Sequence, residues 1–188
     1  MAEGRWGKPL IIRSPLRTAA AFNISHTEGL VACAVGLECD VGVDVELVRS
    51  GLDHIGIAAR FFADAEVDQL AAASPEQRAR RFFSLWTCKE AVAKATGTGL
   101  RMPLDSFSVH LDDLSLNWPS AGRMAESWSL FQRHEGRHVM SLAVRVRGAA
   151  AVQVDWCERP FAAVREAIGR ADQSLSRPSW RFGSDGQE

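Results

Sequence analysis

The sequence predicts an α+β fold: a mainly antiparallel sheet packed with helices that enter the chain as one block. Strand patterning occupies two regions, 22–47 and 107–156. Between them run helical segments that carry their own start and stop residues. Runs of strands interrupted by a run of helices point to α+β, not to the alternating order of a parallel α/β sheet.

Each element has its own reason. Residues 1–21 are poorly patterned, hold two prolines, and are expected to run as an extended arm. F-N-I-S, 22–25, alternates as a strand does, and L-V-A-C-A-V-G-L, 30–37, has the composition of a short buried strand. E-C-D at 38–40 is expected to turn the chain into V-G-V-D-V-E, making 30–47 an antiparallel hairpin. Helices are expected over 53–62, over 64–73 with Asp64 as N-cap, and over a long stretch to Thr96. The long helix has Ser74 as N-cap and Pro75 as its first residue, and Gly97 and Gly99 end it. Strands follow at 107–111, 127–133, 139–146 and 151–156, then an amphipathic helix over 161–172 and a loosely ordered tail from Gln173. The domain reading is an arm over 1–21, one domain over 22–156, and a C-terminal helix and tail over 157–188.

Composition narrows the classes of function. The 188 residues are enough for one domain of ordinary size or two small ones, and with 46% hydrophobic and 24% charged residues the chain reads as an ordinary soluble globular protein with a real core. The formal charge of −1, from 22 basic and 23 acidic residues, gives no support for a nucleic-acid partner. No apolar run is long enough for a membrane span, and M-A-E-G-R-W-G-K-P has no signal-type apolar core, so a cytoplasmic location is expected. Cys33, Cys39, Cys88 and Cys157 form no C-x-x-C pair and are expected to be reduced and mostly buried.

V-G-V-D-V-E, residues 41–46, puts Val41, Val43, Val45 and Leu47 on one face and Gly42, Asp44 and Glu46 on the other. Aspartate is a poor strand former, and like charges on one face repel. One reading is a polar face turned to water. The other is a pair of oxygen ligands for a hard divalent cation such as Mg²⁺, completed by water and phosphate oxygens. The second reading asks for a third acidic group and a phosphate site elsewhere. In S-L-W-T-C-K-E-A-V-A-K, 84–94, Lys89 projects inside an apolar arc formed by Phe82, Leu85, Trp86, Val92 and Ala93. Glu90 and Lys94 sit on its edge, one turn apart. An ordinary i,i+4 surface pair and a functional pair both fit that spacing.

Several segments in order resemble the Sfp-type 4'-phosphopantetheinyl transferases: W-G-K-P at 6–9, F-N-I-S-H-T at 22–27, V-G-V-D-V-E at 41–46, R-F-F at 60–62, F-F-S-L-W-T-C-K-E-A-V-A-K at 82–94 and G-L-R-M-P-L-D-S-F at 99–107. The resemblance covers about residues 6–156. It implies the fold of that family and transfer of the 4'-phosphopantetheine arm of coenzyme A to a serine of an acyl or peptidyl carrier protein, releasing adenosine 3',5'-bisphosphate. It implies that Asp44, Glu46 and Glu90 hold Mg²⁺ and that Glu90 is the general base; whether Mn²⁺ replaces Mg²⁺ is left open. Lys94 would contact phosphate or steady Glu90, while Ser25, His26 and Lys8 would bind coenzyme A.

The resemblance also implies what is missing. In that family the G-K-P segment follows most of a first pseudo-repeat; here it begins at Gly7. Most of the first half is therefore expected to be absent, leaving apolar surface that an oligomer of this chain would cover in its place. Thr98 stands where the family often has a lysine. Two functional readings follow: a working Mg²⁺-dependent transferase, or a catalytically silent remnant that binds a carrier protein without modifying it.

Overall fold

The computed structural model describes residues 2–3, 9–10, 20–118, 126–148 and 151–166. The chain divides into two units, Met1–Val152 and Gln153–Glu188. In the second unit a helical stretch covers 161–166, and the expected tail from Gln173 lies outside the described residues.

In the first unit, β1 (Ala2–Glu3) pairs antiparallel with β2 (Pro9–Leu10). The rest of the expected arm up to Ala19 lies outside the described residues. β3 (Ala20–Thr27) and β4 (Leu30–Leu37) form a tight antiparallel hairpin in which Thr27 pairs with Leu30. The two-residue link Glu28–Gly29 makes this possible, because Gly29 takes φ 79°, a left-handed conformation that costs glycine little. β5 (Asp40–Leu47) does not pair with β4 as expected. It pairs antiparallel with β9 (His138–Arg147), whose other neighbour is β8 (Glu126–Glu135). At the expected turn Glu38 has φ 57°, and the chain passes from the hairpin into this separate three-stranded sheet. The β5 amides of Val43 and Val45 instead donate to the side chains of Asn23 and Ser25 on β3.

The helical block matches the expected order. Asp53 caps α1 (His54–Phe61) by accepting from the Gly56 amide at 2.9 Å. α2 (Asp64–Ala72) starts one residue earlier in register than expected: Ala63 is its N-cap, and Glu66 reaches back to the Ala63 amide at 3.0 Å. That is the return half of a capping box, which an acid at the third helical position provides without a capping side chain. α3 (Pro75–Thr96) begins after Ser74, with proline at its start, and ends at Gly97, whose φ of 75° is the left-handed stop. Two 3-10 turns, Gly99–Arg101 and Leu104–Ser106, lead to β6 (Ser108–His110), which pairs with β7 (Ser115–Asn117). The expected strand at 151–156 is not one: the stretch joins no ladder among the described residues.

α3 packs on the β5–β9 face through small residues. A Cβ on Gly42 would overlap the Ala91 carbonyl oxygen and the Ala95 amide nitrogen. Ala143 lies opposite Gly42 and Ser141 opposite Asp44, so the helix can approach that face closely. The opposite face of β5 buries Val43 and Val45 with Ala32, Leu30, Ala34 and Met140. Each buried valine contributes about 1.5–3 kcal/mol. The outward face of the hairpin is apolar and uncovered: Ile24, Val31, Val35 and Leu37 are exposed. Cys33 and Cys157 are exposed too, contrary to expectation, and Cys88 alone among the described thiols is fully buried, because Cys33 falls on the outward side of β4. No described helix is long and apolar enough to cross a membrane.

Candidate functional site

Gly42 answers the question raised by the acidic strand. Because it shares a face with Asp44 and Glu46, the close approach of α3 at Gly42 turns both carboxylates toward the helix that carries Glu90 and Lys94. Asp44 is buried at 6% exposure. Its Oδ1 accepts from Lys94 Nζ at 2.7 Å and from the Ser25 hydroxyl at 2.9 Å. Its Oδ2 is buried and has no partner among the described residues. Lys94 spends its remaining hydrogens on Ser25 Oγ at 3.0 Å and the Val43 carbonyl at 3.1 Å.

The electrostatics tie Glu46 and Glu90 to the same centre. Burial pushes the Glu46 carboxyl above its ordinary value, Asp44 adds to the rise, and Arg49 and Lys94 oppose it. Burial likewise raises Glu90, Asp44 and Glu46 add to the rise, and Lys94 opposes it. Asp44 makes both glutamates harder to ionise, a charge arrangement that a cation relieves. Among the described residues, no three His, Cys, Asp or Glu side chains stand as a ready-made metal cluster. The donor chemistry nevertheless suits a hard divalent ion, and an unpartnered buried carboxylate oxygen is the kind of atom such an ion satisfies.

A cavity of about 530 Å³ opens beside Glu90. Phe61, Trp86, Met102 and Leu104 give it apolar walls, and Arg60 stands among its lining residues.

The other expected residues are placed as follows. Ser25 faces inward to Asp44, whereas His26, the next residue on the strand, is exposed on the hairpin's outward side and is not brought to the carboxylates. Lys8 lies outside the described residues. Lys89 is a structural ion-pair partner: it is fully buried with Glu66, and Nζ lies 2.7 Å from Glu66 Oε2, 2.6 Å from the Leu104 carbonyl and 2.7 Å from the Phe107 carbonyl. Two α3 arginines outside the expected site are tied to backbone: Arg78 donates to the carbonyls of Leu70 and Ala73 at the end of α2, and Arg80 to the Gly136 carbonyl.

Sequence reasoning missed Asn23 and Glu66. Asn23 stands two residues before Ser25 on the same strand face, the one signal that paired them. Glu66 reads as a helix-start acid, and nothing local announces its pairing with Lys89.

The family model described as the 4'-phosphopantetheinyl transferase superfamily matches residues 40–143, more than half of the chain and the whole span from β5 into β9. The chain belongs to the 4'-phosphopantetheinyl transferase superfamily. It is 43% identical over 108 residues to a 4'-phosphopantetheinyl transferase of Bacillus subtilis, covering 57% of this chain and 46% of that one. It is 35% identical over 126 residues to 4'-phosphopantetheinyl transferase HetI of Nostoc sp., covering 67% of this chain and 52% of that one. The chain thus spans about half the length of the curated relatives it matches. A holo-(acyl-carrier-protein) synthase from Bacillus anthracis, solved in complex with CoA (3',5'-ADP), aligns with a TM-score of 0.48 at 18% identity over 56% of this chain and 94% of that one. For a superfamily member, the acidic centre at Asp44, Glu46 and Glu90 lies wholly within the matched span.

Proposed function

We propose that this chain transfers the 4'-phosphopantetheine arm of coenzyme A to a serine of an acyl or peptidyl carrier protein in a Mg²⁺-dependent reaction. The observation that carries the reading is Asp44: one oxygen is held by Lys94 and Ser25, and the other is buried without a partner beside two further carboxylates. Asp44, Glu46 and Glu90 would hold the ion, with Mn²⁺ as a substitute. When bound, it supplies positive charge that offsets charge developing on the pyrophosphate.

The protein's own groups do the rest. Glu90 lines the cavity and takes the proton from the carrier serine hydroxyl. The apolar walls at Phe61, Trp86, Met102 and Leu104 accommodate the uncharged arm and limit water beside Glu90. Lys94, whose three hydrogens are engaged by Asp44, Ser25 and the Val43 carbonyl, keeps a positive charge at the edge of the site that balances the carboxylates and attracts an approaching phosphate through its charge alone.

The test is intact-mass spectrometry of an apo carrier protein incubated with this chain, coenzyme A and Mg²⁺, with an EDTA control. A gain of one phosphopantetheine arm that EDTA abolishes is the expected result. No gain from the folded chain would refute the transferase reading of this chain and favour a catalytically silent binder of a carrier protein.

A further inference from the structure

The resemblance to the family makes Ser25 a ligand for coenzyme A phosphate, but its hydroxyl has no capacity left. A serine hydroxyl donates one hydrogen bond and accepts two. Ser25 Oγ donates to Asp44 Oδ1 at 2.9 Å, accepts from Lys94 Nζ at 3.0 Å and accepts from the Val45 amide at 3.3 Å. The residue is 7% exposed and lies on the inward face of β3. Asp44 is equally lopsided: Oδ1 has both of its acceptor positions filled, and buried Oδ2 has none.

We infer that Ser25 is a positioning residue that holds Asp44 by Oδ1 and so presents Oδ2 as the oxygen left to bind a cation. The inference rests on the cation reading proposed above. It assigns Ser25 to the carboxylate and not to phosphate. Three anchors on different elements make the device stiff. The Val45 amide fixes Oγ to β5, Lys94 fixes it to α3, and the strand backbone of β3 carries it. A carboxylate that can rotate presents either oxygen. One held through Oδ1 by a hydroxyl and an ammonium presents Oδ2 in a single orientation, at no ordering cost when the ion arrives.

The test uses the full chain, with Mn²⁺ alone as probe, followed by the electron paramagnetic resonance signal of the free ion. In parallel, binding of adenosine 3',5'-bisphosphate is measured in EDTA. Ser25→Ala should weaken Mn²⁺ binding about 10-fold, the lower end of what loss of a ligand-orienting partner costs. Ser25→Thr, which restores the hydroxyl, should recover it. Bisphosphate binding in EDTA should be the same for all three proteins. If Ser25→Ala does not fold, Ser25→Cys carries the test, since a thiol of similar shape is a poor donor, and the same loss of Mn²⁺ affinity is expected. Wild-type Mn²⁺ affinity in these variants would overturn the inference and leave the cation reading intact. A loss of bisphosphate affinity in EDTA would return Ser25 to the phosphate and also overturn it. A wild-type chain that does not bind Mn²⁺ would overturn the cation reading itself, and the inference with it.

Discussion

Lys89→Met removes the charge from the most deeply buried ion pair among the described residues while keeping most of the side chain's apolar stem. Lys89 and Glu66 both have no exposed side-chain surface. The ammonium uses its three hydrogens on Glu66 Oε2, the Leu104 carbonyl and the Phe107 carbonyl, and it lies 4.3 Å from the centre of the Phe107 ring. Glu66 in turn accepts from the amides of Val109, at 2.8 Å, and Ala63, at 3.0 Å. The pair therefore joins α2, α3, the Leu104–Ser106 turn and β6 at one point. Methionine would leave a buried carboxylate with no counter-charge, which costs about 3–5 kcal/mol. Two carbonyls would also lose a charged donor, so about 3 kcal/mol is a floor. For a unit of this size, each kcal/mol moves the melting temperature by about 2–4 °C, so a fall of roughly 6–12 °C or more is expected. Urea unfolding followed by far-ultraviolet circular dichroism measures the loss. The partner variant Glu66→Gln keeps an acceptor for the Val109 amide, and Lys89→Met/Glu66→Gln should be less destabilised than the sum of the two single changes, because no charge is then left buried. If Lys89→Met costs less than about 1 kcal/mol, the carboxylate has found water or a proton, and the account of a dry, fully paired clamp is wrong.

The remaining predictions address the site and its surroundings. Gly42→Ala should force α3 off β5, because the new methyl meets helix backbone and not a movable side chain; a drop of several degrees in melting temperature with a matching loss of transfer checks it. Asp44→Ala should cut carrier modification by two orders of magnitude or more, about 2.7 kcal/mol in barrier, while the circular dichroism spectrum stays native, since removal of one carboxylate relieves repulsion on the other two. Burial pushes the Cys88 thiol up to about 11, so a thiol reagent at pH 8 should label exposed Cys33 and Cys157 and reach Cys88 only in urea. Burial and the nearby Arg80 charge hold the His134 imidazole below 6.5, its ordinary value. In the window between that depressed value and 6.5 the unfolded chain binds more protons than the folded one, so stability rises with pH there. Proton resonances of His134 and urea midpoints across mildly acidic pH would show both effects, and His134→Gln should lose the slope.

The parts of this protein legible in its sequence are those set by local rules. Ser74, Pro75 and Gly97 bound α3 because helix ends need particular backbone angles and unmatched donors, and those demands fall on single residues. The alternation in V-G-V-D-V-E put Gly42, Asp44 and Glu46 on one face without any knowledge of what lay opposite. What lay opposite was not legible. Leu30–Leu37 reads equally well as a partner for the strand before it or the one after it, and the choice fell to a left-handed Gly29 and a two-residue link. Lys89 and Ser25 show the same limit at the site. Both are polar residues in a family motif, where chemistry is the first reading. The structure shows Lys89 saturated by a carboxylate and two carbonyls, and Ser25 saturated by a carboxylate, an ammonium and an amide. Saturation is a sum over partners up to 69 residues away in the chain, as for Ser25 and Lys94, so no local pattern can report it. Asp44 is the complementary case. Its neighbours bond only one of its two oxygens, and that asymmetry, visible only once β3, β5 and α3 are assembled, is the observation on which the proposed cation site rests.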